Sequence, residues 1–494
     1  MNDSALRQLV HPPDWRNPTP SGTYDLVVLG GGTAGLVAAI GAAGLGARVA
    51  LVERHLLGGD CLNTGCVPSK ALVRSARVVG EFAGADALGV TAEQVTVDFA
   101  RLMDRMRQRR ATIAVNDSAA RVQRSGVDLY FGDASFADAQ HVVVDGQRLK
   151  FGRAVIATGG RPVAPPVAGL ETSGYLTNES VFSLTELPRR LLVIGAGPIG
   201  CELAQAFGRF GSLVTLLDQS PRVLPRDDAD AAAIVQKQLE IDGVRCELNV
   251  RLQDVKRSAG GTTVSFVGAG AAGAIAAHEG DAILVAAGRA PNTEELNLGA
   301  AGVEVSAQGV LVDDYLRTSN RRIYASGDVC SAFKFTHAAD AMSRIVIQNA
   351  LFYGRRKASA LIIPWVTYTQ PEVAHVGLSA TDAQASMGRV ASITVPLSEV
   401  DRSIVDDEVE GFVRVQHESG RLRGCTIVAP HAGELIGQAT FALTQRATLS
   451  AFSATIHPYP TVGESFRKAG DAYRRGSVTP ALKMWLERYF RWTR

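Results

Sequence analysis

Two stretches of the chain share one order of apolar and small residues. In the first, the apolar run from Tyr24 to Leu29 leads into the turn GGGTAG, the helix-like stretch LVAAIGAAGLGA (36–47) and a second apolar run ending in Glu53. The second stretch has LLVIGAGPIG (191–200), a helical pattern that continues through Glu202, and LVTLLD ending in Asp218. Each pattern predicts a strand, a glycine turn, a helix and a second strand.

The glycines of both turns have the spacing GxGxxG that brings a backbone close to a pyrophosphate at a helix N-terminus. An acid about twenty residues later accepts hydrogen bonds from a ribose, and both stretches have one. A glycine turn used only for packing is the alternative, but strand, helix and acid are all in place. The predicted dinucleotide-binding residues are Gly30, Gly32, Gly35 and Glu53 in the first unit, and Gly195, Gly197, Gly200 and Asp218 in the second. Two nucleotides in one chain suit an enzyme that passes electrons between them.

Other parts of the pattern predict different structures. Gly268, Gly270 and Gly273 have similar spacing, but the next strand begins too soon for a crossover helix, so a loop in an antiparallel excursion is expected. Apolar runs at 153–162, 281–292 and 321–330 end in small residues, as strands beside a ligand do. After residue 357 the pattern predicts a separate α+β domain.

Composition narrows the class of protein. The 494 residues exceed the size of one core, and 46% hydrophobic with 20% charged residues is ordinary for a globular protein. A net charge of +2 argues against nucleic-acid binding. With no apolar segment of a signal peptide or a membrane span, we expect a cytoplasmic protein, where a pair of cysteines is catalytic or metal-binding more often than structural.

The stretch GGDCLNTGCVPSK at 58–70 contains two of the six cysteines, Cys61 and Cys66. A metal site, a structural staple and a working disulfide are the alternatives. Zinc would need two more well-spaced Cys or His ligands. The start of a helix stabilises a thiolate, which favours redox chemistry. The four remaining cysteines, Cys201, Cys246, Cys330 and Cys425, are scattered and are expected to be small buried side chains.

Taken together, these residues resemble the class I pyridine-nucleotide disulfide oxidoreductases, the flavoprotein family of dihydrolipoamide dehydrogenase, glutathione reductase and mercuric reductase. The resemblance implies an α/β fold with two Rossmann-like dinucleotide-binding domains, for FAD and NAD, and a C-terminal α+β dimerisation domain. The implied boundaries are 1–163 and 291–357 for FAD, 164–290 for NAD(P) and 358–494 for the dimer interface. It also implies a homodimer and a small-molecule or metal-ion acceptor, with no resident metal.

The resemblance assigns roles to individual residues. It makes Cys61 and Cys66 a redox disulfide in which Cys66 faces the flavin and Cys61 meets the acceptor. It pairs Lys70 with Glu202 near the flavin. The further cofactor-binding residues it implies are Gly59, Lys70, Ala134, Thr158, Gly159, Gly288, Asp328 and His337.

The nicotinamide preference depends on Asp218. An acid at the end of this strand accepts from a ribose 2′-hydroxyl and repels a 2′-phosphate, so NADH is expected over NADPH. Arg222 and Arg226 follow closely and keep NADPH possible.

The C-terminal motif departs from the disulfide reductases of the family. They have His-Pro-Thr-x-x-Glu, whereas this chain has HPYPTVGE at 457–464, which puts Tyr459 in place of the histidine, with His457 two residues earlier and Glu464 in register. Tyrosine, with a pKa of about 10, is a poor base at neutral pH. Mercuric reductases share the tyrosine, and SEVDRSIVDDEVEGFVRV and APHAGELI also resemble that branch, although no vicinal cysteine pair occurs in the sequence.

The predicted function is therefore that of a mercuric-reductase-like enzyme acting on Hg(II) or another soft metal ion. A dihydrolipoamide-dehydrogenase-like disulfide reductase using His457 is the alternative. A redox sensor or a component bound to a partner is a further one.

Two basic segments remain. RLMDRMRQRRA at 101–111 is expected to be the solvated face of a helix. ALKMWLERYFRWTR at 481–494 has aromatic residues at helical spacing with basic residues between them. Packing on the dimer or on its own domain is one interpretation, and a helix lying on an anionic membrane surface is the other.

Overall fold

The structure is a computed structural model that describes residues 4–91, 95–258, 260–268 and 274–494. It contains two compact units, one of residues 1–219 and 242–361 and one of residues 220–241 and 362–494. None of the described helices has the length and apolar character needed to cross a bilayer.

The strands of the first unit include the two pairs predicted on either side of the glycine turns, at the predicted positions. They are β1 Thr23–Leu29, β2 Val49–Glu53, β3 Val127–Phe131, β4 Ala134–Asp138, β5 His141–Val144, β6 Gln147–Ile156, β7 Gly160–Pro162, β8 Arg190–Ile194, β9 Leu213–Leu217, β10 Arg245–Glu247, β11 Val250–Ser258, β12 Gly261–Gly268, β13 Ile275–Gly280, β14 Ala282–Val285, β15 Arg289–Pro291, β16 Val305–Ser306, β17 Gly309–Val310 and β18 Ile323–Ala325.

The helices of the first unit follow the glycine turns or pack against the sheets. They are α1 Ser4–Val10, α2 Thr33–Gly44, α3 Gly59–Asn63, α4 Cys66–Ala83, α5 Phe99–Ala114, α6 Ala119–Arg124, α7 Pro198–Phe210 and α9 Thr336–Leu351.

A seven-stranded sheet forms the centre of the first predicted nucleotide domain. Its order is β3-β2-β1-β6-β5-β4, with β18 paired to β6. The neighbours β3, β2, β1, β6 and β18 run parallel, and Val28 pairs with both Leu51 and Val155. All five residues of β2 are buried, because helices cover parallel sheets on both faces.

The second nucleotide unit has a parallel four-stranded sheet, β10-β9-β8-β14. Between β10 and β14 the chain forms the antiparallel sheet β11-β12-β13, which confirms the predicted excursion. Gly268 ends β12, whereas Gly270 and Gly273 lie outside the described residues. The runs predicted to end beside a ligand are also confirmed as the strands β6, β14 and β18.

The basic segment 101–111 lies in α5 as predicted, but the expectation of a solvated face is wrong in part. Met103 and Met106 are fully buried, and Arg110 is buried with its guanidinium donating to the Asn63 carbonyl at 2.6 Å. A long aliphatic stem lets an arginine cross an apolar face to reach a main-chain acceptor.

The second unit has the predicted α+β composition. Its antiparallel sheet has the order β19-β20-β23-β22-β21. The strands are β19 Trp365–Thr367, β20 Glu372–Gly377, β21 Ala391–Pro396, β22 Phe412–Glu418 and β23 Arg421–Ala429. The helices are α8 Ala229–Ile241, α10 Ala380–Ala385, α11 Asp401–Val405, α12 Ala432–Thr444, α13 Leu449–Ala454, α14 Glu464–Gly476 and α15 Pro480–Thr493.

The segment that enters the second unit from the middle of the sequence is tied to it by buried polar contacts. Asp227 accepts from the Trp365 indole at 2.9 Å, and Asp228 accepts from the Thr426 hydroxyl at 2.9 Å. Arg414 forms ion pairs with Asp228, at 3.3 Å, and with Asp230. Residues far apart in sequence therefore complete one core. The predicted boundaries between the four domain segments stay predictions.

Candidate active site

The first glycine turn leaves no room for a side chain at the first and last of its three fingerprint glycines. Gly30 has φ +102°, and a Cβ on it would lie 2.4 Å from the Ala157 carbonyl oxygen. A Cβ on Gly35 would lie 1.7 Å from the Gly30 carbonyl oxygen, so the backbone of α2 packs directly against the glycine turn. Gly32 caps α2, and among the described residues a Cβ on it would come within 4 Å of the Gly59 Cα alone, at 3.6 Å. The start of α2 therefore forms a cradle suited to a pyrophosphate.

Glu53 fixes the shape of this turn. Its Oε2 accepts from the Gly31 amide at 2.5 Å, and its Oε1 accepts from the His55 amide at 2.7 Å. Burial raises the pKa of the Glu53 carboxyl, while these amides oppose that shift. Glu53, at the end of β2, thus holds the backbone of the glycine turn in place. It also stands where an acid that binds a ribose is expected.

The second glycine turn repeats the first. Gly195 has φ +111°, and a Cβ on Gly200 would lie 1.8 Å from the Gly195 carbonyl oxygen. Gly197 caps α7, and a Cβ there would meet no heavy atom of the described residues within 4 Å. Asp218 accepts from the Ala196 amide at 2.6 Å, as Glu53 does from Gly31. The same acid-to-turn bond therefore occurs in both predicted nucleotide sites.

The two cysteines lie on successive helices, one of 5 residues and one of 18. Cys61 is in α3, and Cys66 is the first residue of α4. Both are free thiols in the structure, with Cys61 half-buried and Cys66 exposed. The Thr336 hydroxyl, at the start of α9, lies 3.4 Å from the Cys66 sulfur. Cys66 is thus placed at a helix N-terminus, where a thiolate is stabilised.

The two thiols differ in acidity. A hydrogen bond from Cys61 lowers the pKa of Cys66 to about 6, and Thr336 and the charge of Lys70 act in the same direction. The same bond to Cys66, together with burial, raises the pKa of Cys61. The geometry thus favours a thiolate at Cys66 and a thiol at Cys61, the polarity that the family resemblance implies.

This polarity predicts the pH dependence of alkylation of the reduced protein. Iodoacetamide modification of Cys66 is expected to fall as pH falls through about 6, and to be about tenfold slower at pH 5 than on the plateau, because only the thiolate reacts. Mass spectrometry of the labelled peptide gives the midpoint. Thr336→Val should move it to higher pH, whereas a wild-type midpoint near that of free cysteine, about 8.5, would contradict the assignment.

Lys70 and Glu202 come together as the resemblance implies. The Lys70 ammonium donates to Glu202 Oε2 at 2.8 Å, across 132 residues of sequence. Only 5% of the Glu202 side chain is exposed, against 36% for Lys70. The pair joins α4, which carries Cys66, to α7, which begins at the second glycine turn.

A charged group beside Cys61 was not predicted. Arg289 forms an ion pair with Asp60, its Nε lies 3.6 Å from Asp328 Oδ2, and it donates to the Gly160 carbonyl at 2.7 Å. Burial raises the pKa of Asp328, and Arg289 opposes the shift. The sequence could have indicated these two residues by their neighbours, since Asp60 directly precedes Cys61 and Arg289 directly follows the predicted Gly288.

Most of the remaining predicted cofactor residues lie beside strand ends. Thr158 and Asn292 exchange two hydrogen bonds, at 2.7 and 2.9 Å, which join the loop after β6 to the residue that follows β15. Gly159 has φ +67° and Gly288 has φ +156°, so both suit a close backbone approach. The other positions are simply located: Ala134 begins β4, and His337 is the second residue of α9, with an exposed ring stacked on Phe335 at 5.5 Å.

The predicted C-terminal residues lie in the second unit. Tyr459 is 71% exposed, and its hydroxyl donates to Asp401 Oδ2 at 3.0 Å. This bond raises the pKa of Tyr459. Glu464 is buried and forms an ion pair with Arg467, while its Oε2 has no hydrogen-bond partner among the described residues.

His457 is held by a different set of contacts. Its Nδ1 lies 3.0 Å from the Thr455 carbonyl and its Nε2 lies 2.8 Å from the Gln438 amide nitrogen. Because a carbonyl only accepts, Nδ1 carries the proton and Nε2 accepts from Gln438. Tyr459 and His457 therefore do not share a hydrogen bond, and each is oriented separately.

The residues present fit FAD in the first cradle and a nicotinamide nucleotide in the second. In each, close backbone contacts exclude a side chain at the first and last glycines of the turn, the middle glycine leaves open space at the helix start, and an acid at the end of the second strand accepts from the turn. The described parts of the chain contain no group of three or more His, Cys, Asp or Glu side chains that could hold a metal ion.

The remaining cysteines differ in burial. Cys201 and Cys425 are buried as expected, while Cys246 and Cys330 are half-buried, so the expectation is wrong for these two. Burial raises the pKa of Cys330 to about 12.

Comparison with known proteins gives consistent matches. The pyridine nucleotide-disulphide oxidoreductase family model matches residues 24–343, and the dimerisation domain of that family matches residues 363–470. The mercuric reductase of Staphylococcus aureus is 36% identical over 91% of this chain and 82% of its own length. The dihydrolipoyl dehydrogenase of Thermus scotoductus is 34% identical over 92% of this chain and 98% of its own length.

A solved structure agrees in fold. The HOCl-induced flavoprotein disulfide reductase RclA of Escherichia coli has a TM-score of 0.80 and 27% identity, covering 91% of this chain and 99% of that one. The match to the dimerisation domain supports a homodimer. The chain belongs to the pyridine nucleotide-disulphide oxidoreductase family and is an FAD-dependent, NAD(P)H-using enzyme.

Proposed function

We propose that this enzyme uses NADH to reduce a soft metal ion, with Hg(II) as the first candidate, through FAD and the Cys61–Cys66 pair. The overall reaction balances as NADH plus Hg(II) giving NAD⁺, Hg(0) and one proton. Bound FAD supplies hydride acceptance and two-electron transfer to the cysteine pair.

The observation that carries the proposal is Tyr459 bonded to Asp401. A disulfide acceptor requires a base that takes a proton from a thiol, and this tyrosine, with its pKa raised by Asp401, keeps its own proton at neutral pH. A metal ion needs no such base, because it displaces the protons of the thiols it binds. Thiolates are the ligands that soft metal ions prefer, and Cys66 is already poised as one.

The relatives support the same class of acceptor. Several of the most similar curated proteins are mercuric reductases, and RclA has also been solved as a Cu(II) complex, with a TM-score of 0.80. For the donor, NADH is preferred because Asp218 stands where a 2′-phosphate would be repelled. Arg222 donates to the carbonyls of Pro225 and Asp227 within its own segment.

The test is anaerobic oxidation of NADH and NADPH by the purified dimer with Hg(II) in excess thiol, Cu(II) or lipoamide. The proposal expects turnover with a metal ion, faster with NADH, and little with lipoamide. Turnover with lipoamide alone would replace it by the second candidate below. Turnover far below the usual enzyme range with every acceptor would favour a redox sensor or a partner-bound component.

A dihydrolipoyl-dehydrogenase-like disulfide reductase is the second candidate. One observation favours it: His457 has its Nδ1 proton on the Thr455 carbonyl, so Nε2 is the basic nitrogen, and it could take a proton from a thiol once Gln438 releases it. In this case His457→Gln should remove lipoamide turnover and leave metal-ion turnover unchanged.

Changing Tyr459 to His should shift the acceptor preference. We expect Tyr459→His to lower turnover with Hg(II) and to raise turnover with lipoamide, each about tenfold, because a base with a pKa near 6.5 then replaces a tyrosine that keeps its proton at neutral pH. Steady-state kinetics with both acceptors measures the change.

Tyr353→His is the matched control, since Tyr353 is a 90% exposed tyrosine in the first unit. Asp401→Asn should reproduce the loss with Hg(II) only in part, because the amide still accepts a hydrogen bond. An unchanged ratio of the two activities in Tyr459→His would show that this residue does not select the acceptor.

A further inference from the structure

The helix α15 presents large apolar side chains to solvent. None of its residues, all of which are described, is buried. The exposed fractions are 42% for Leu482, 61% for Trp485, 45% for Tyr489, 54% for Phe490 and 83% for Trp492. A contiguous exposed apolar surface of this kind marks an interaction site.

These side chains form one stripe. Leu482, Trp485, Leu486 and Tyr489 follow the spacing i, i+3, i+4 and i+7 of one helical face. The rings of Trp485 and Tyr489 stack with centroids 5.9 Å apart, and Tyr489 meets Phe490 edge-on at 5.5 Å. The face is therefore continuous along the helix.

The other side of the helix is basic. Lys483, Arg488, Arg491 and Arg494 lie there with a single acid, Glu487, and Arg474 and Arg475 are exposed at the end of α14. The whole chain has a net charge of only +2, so the rest of the molecule is net negative. Positive charge is therefore concentrated on the same helix that carries the apolar stripe, and on the neighbouring end of α14.

We propose that α15 lies in the plane of an anionic membrane surface, with the stripe among the acyl chains and the arginines at the headgroups. Aromatic and leucine side chains on one face with Lys and Arg on the other are typical of such helices. Pairing of α15 with the α15 of a second copy fits less well, since it would bring two basic clusters together. The proposal is independent of the acceptor.

The test is co-sedimentation of the FAD-loaded dimer with vesicles. We expect binding to vesicles of equal parts phosphatidylglycerol and phosphatidylcholine, weakening in high salt, and little binding to phosphatidylcholine alone. Trp485→Ala with Trp492→Ala should weaken binding about tenfold, and so should Arg488→Gln with Arg491→Gln. Tryptophan emission should shift to shorter wavelength on binding.

Met484→Ala is the matched control, because Met484 is 66% exposed but lies on the basic side. All variants should keep wild-type NADH oxidation and dimer mass by light scattering. Absence of binding at low salt, or equal binding of the tryptophan variants, would overturn the proposal. Loss of the dimer in Trp485→Ala would overturn it too, and would show that the stripe joins two copies.

Discussion

Replacing Cys66 with serine is expected to lower turnover with every acceptor by at least about 10³-fold. The structure places this sulfur at the first residue of α4, with a hydrogen bond from Cys61, Thr336 3.4 Å away and a pKa lowered to about 6. A serine hydroxyl in the same place carries no negative charge at neutral pH and forms no disulfide. The loss should therefore be the same for Hg(II), Cu(II) and lipoamide.

Anaerobic titration with NADH distinguishes this role from a structural one. The oxidised wild-type subunit should take up two equivalents, one for FAD and one for the disulfide, and Cys66→Ser only one. Cys61→Ser should also take up one and lose turnover, but its hydroxyl still donates to Cys66, so the low pKa of Cys66 should persist.

Cys246→Ser serves as the control, because Cys246 is a half-buried cysteine of the first unit with no predicted role. It should keep two equivalents and full turnover. If Cys66→Ser still consumed two equivalents of NADH, the electron pair would have to reside elsewhere and the assignment of the redox pair would be wrong.

Replacing Lys70 with alanine is expected to weaken the fold and the reaction together. Glu202 is 5% exposed, and removing the lysine that donates to it at 2.8 Å should cost about 2 kcal/mol of unfolding free energy. This is below the range for fully buried pairs because Lys70 is 36% exposed. Turnover should fall about 10²-fold with every acceptor, since a charge next to the redox centre is lost.

Denaturant midpoints of the FAD-loaded dimer and steady-state kinetics measure the two effects. Lys237→Ala is the matched control, because Lys237 and Glu410 form a lysine–glutamate pair in which both side chains are more than 60% exposed. It should change neither quantity. An acceptor-dependent loss in Lys70→Ala, like that expected of Tyr459→His, would show that Lys70 acts at the acceptor and not at the cofactor.

Local pattern predicted much of this molecule. The two glycine turns, their strands and the acids that follow them are encoded within about thirty residues each, so period and spacing suffice to find them. The pairing of Lys70 with Glu202 came from family resemblance, because no local pattern links residues 132 apart.

Contacts between distant elements were missed for the same reason. The Asp60–Arg289 ion pair joins residues 229 apart, and Thr336 reaches Cys66 across 270. Hydropathy also cannot show that Arg110 is buried, because burial of an arginine depends on finding an acceptor such as the Asn63 carbonyl in three dimensions. The partner of Tyr459 was likewise invisible, although Asp401 stands in a stretch that resembles mercuric reductases.

Residues 220–241 belong to the second unit although residues of the first unit flank them on both sides in the sequence. A fragment of residues 362–494 would lack α8 and the carboxylates of Asp228 and Asp230, and would leave the largely buried guanidinium of Arg414 without its counter-charges. During synthesis, α8 emerges more than a hundred residues before the sheet it completes. Residues 362–494 are therefore not an independent folding unit. They can be exchanged between relatives only together with the segment 220–241, which is encoded in the middle of the gene.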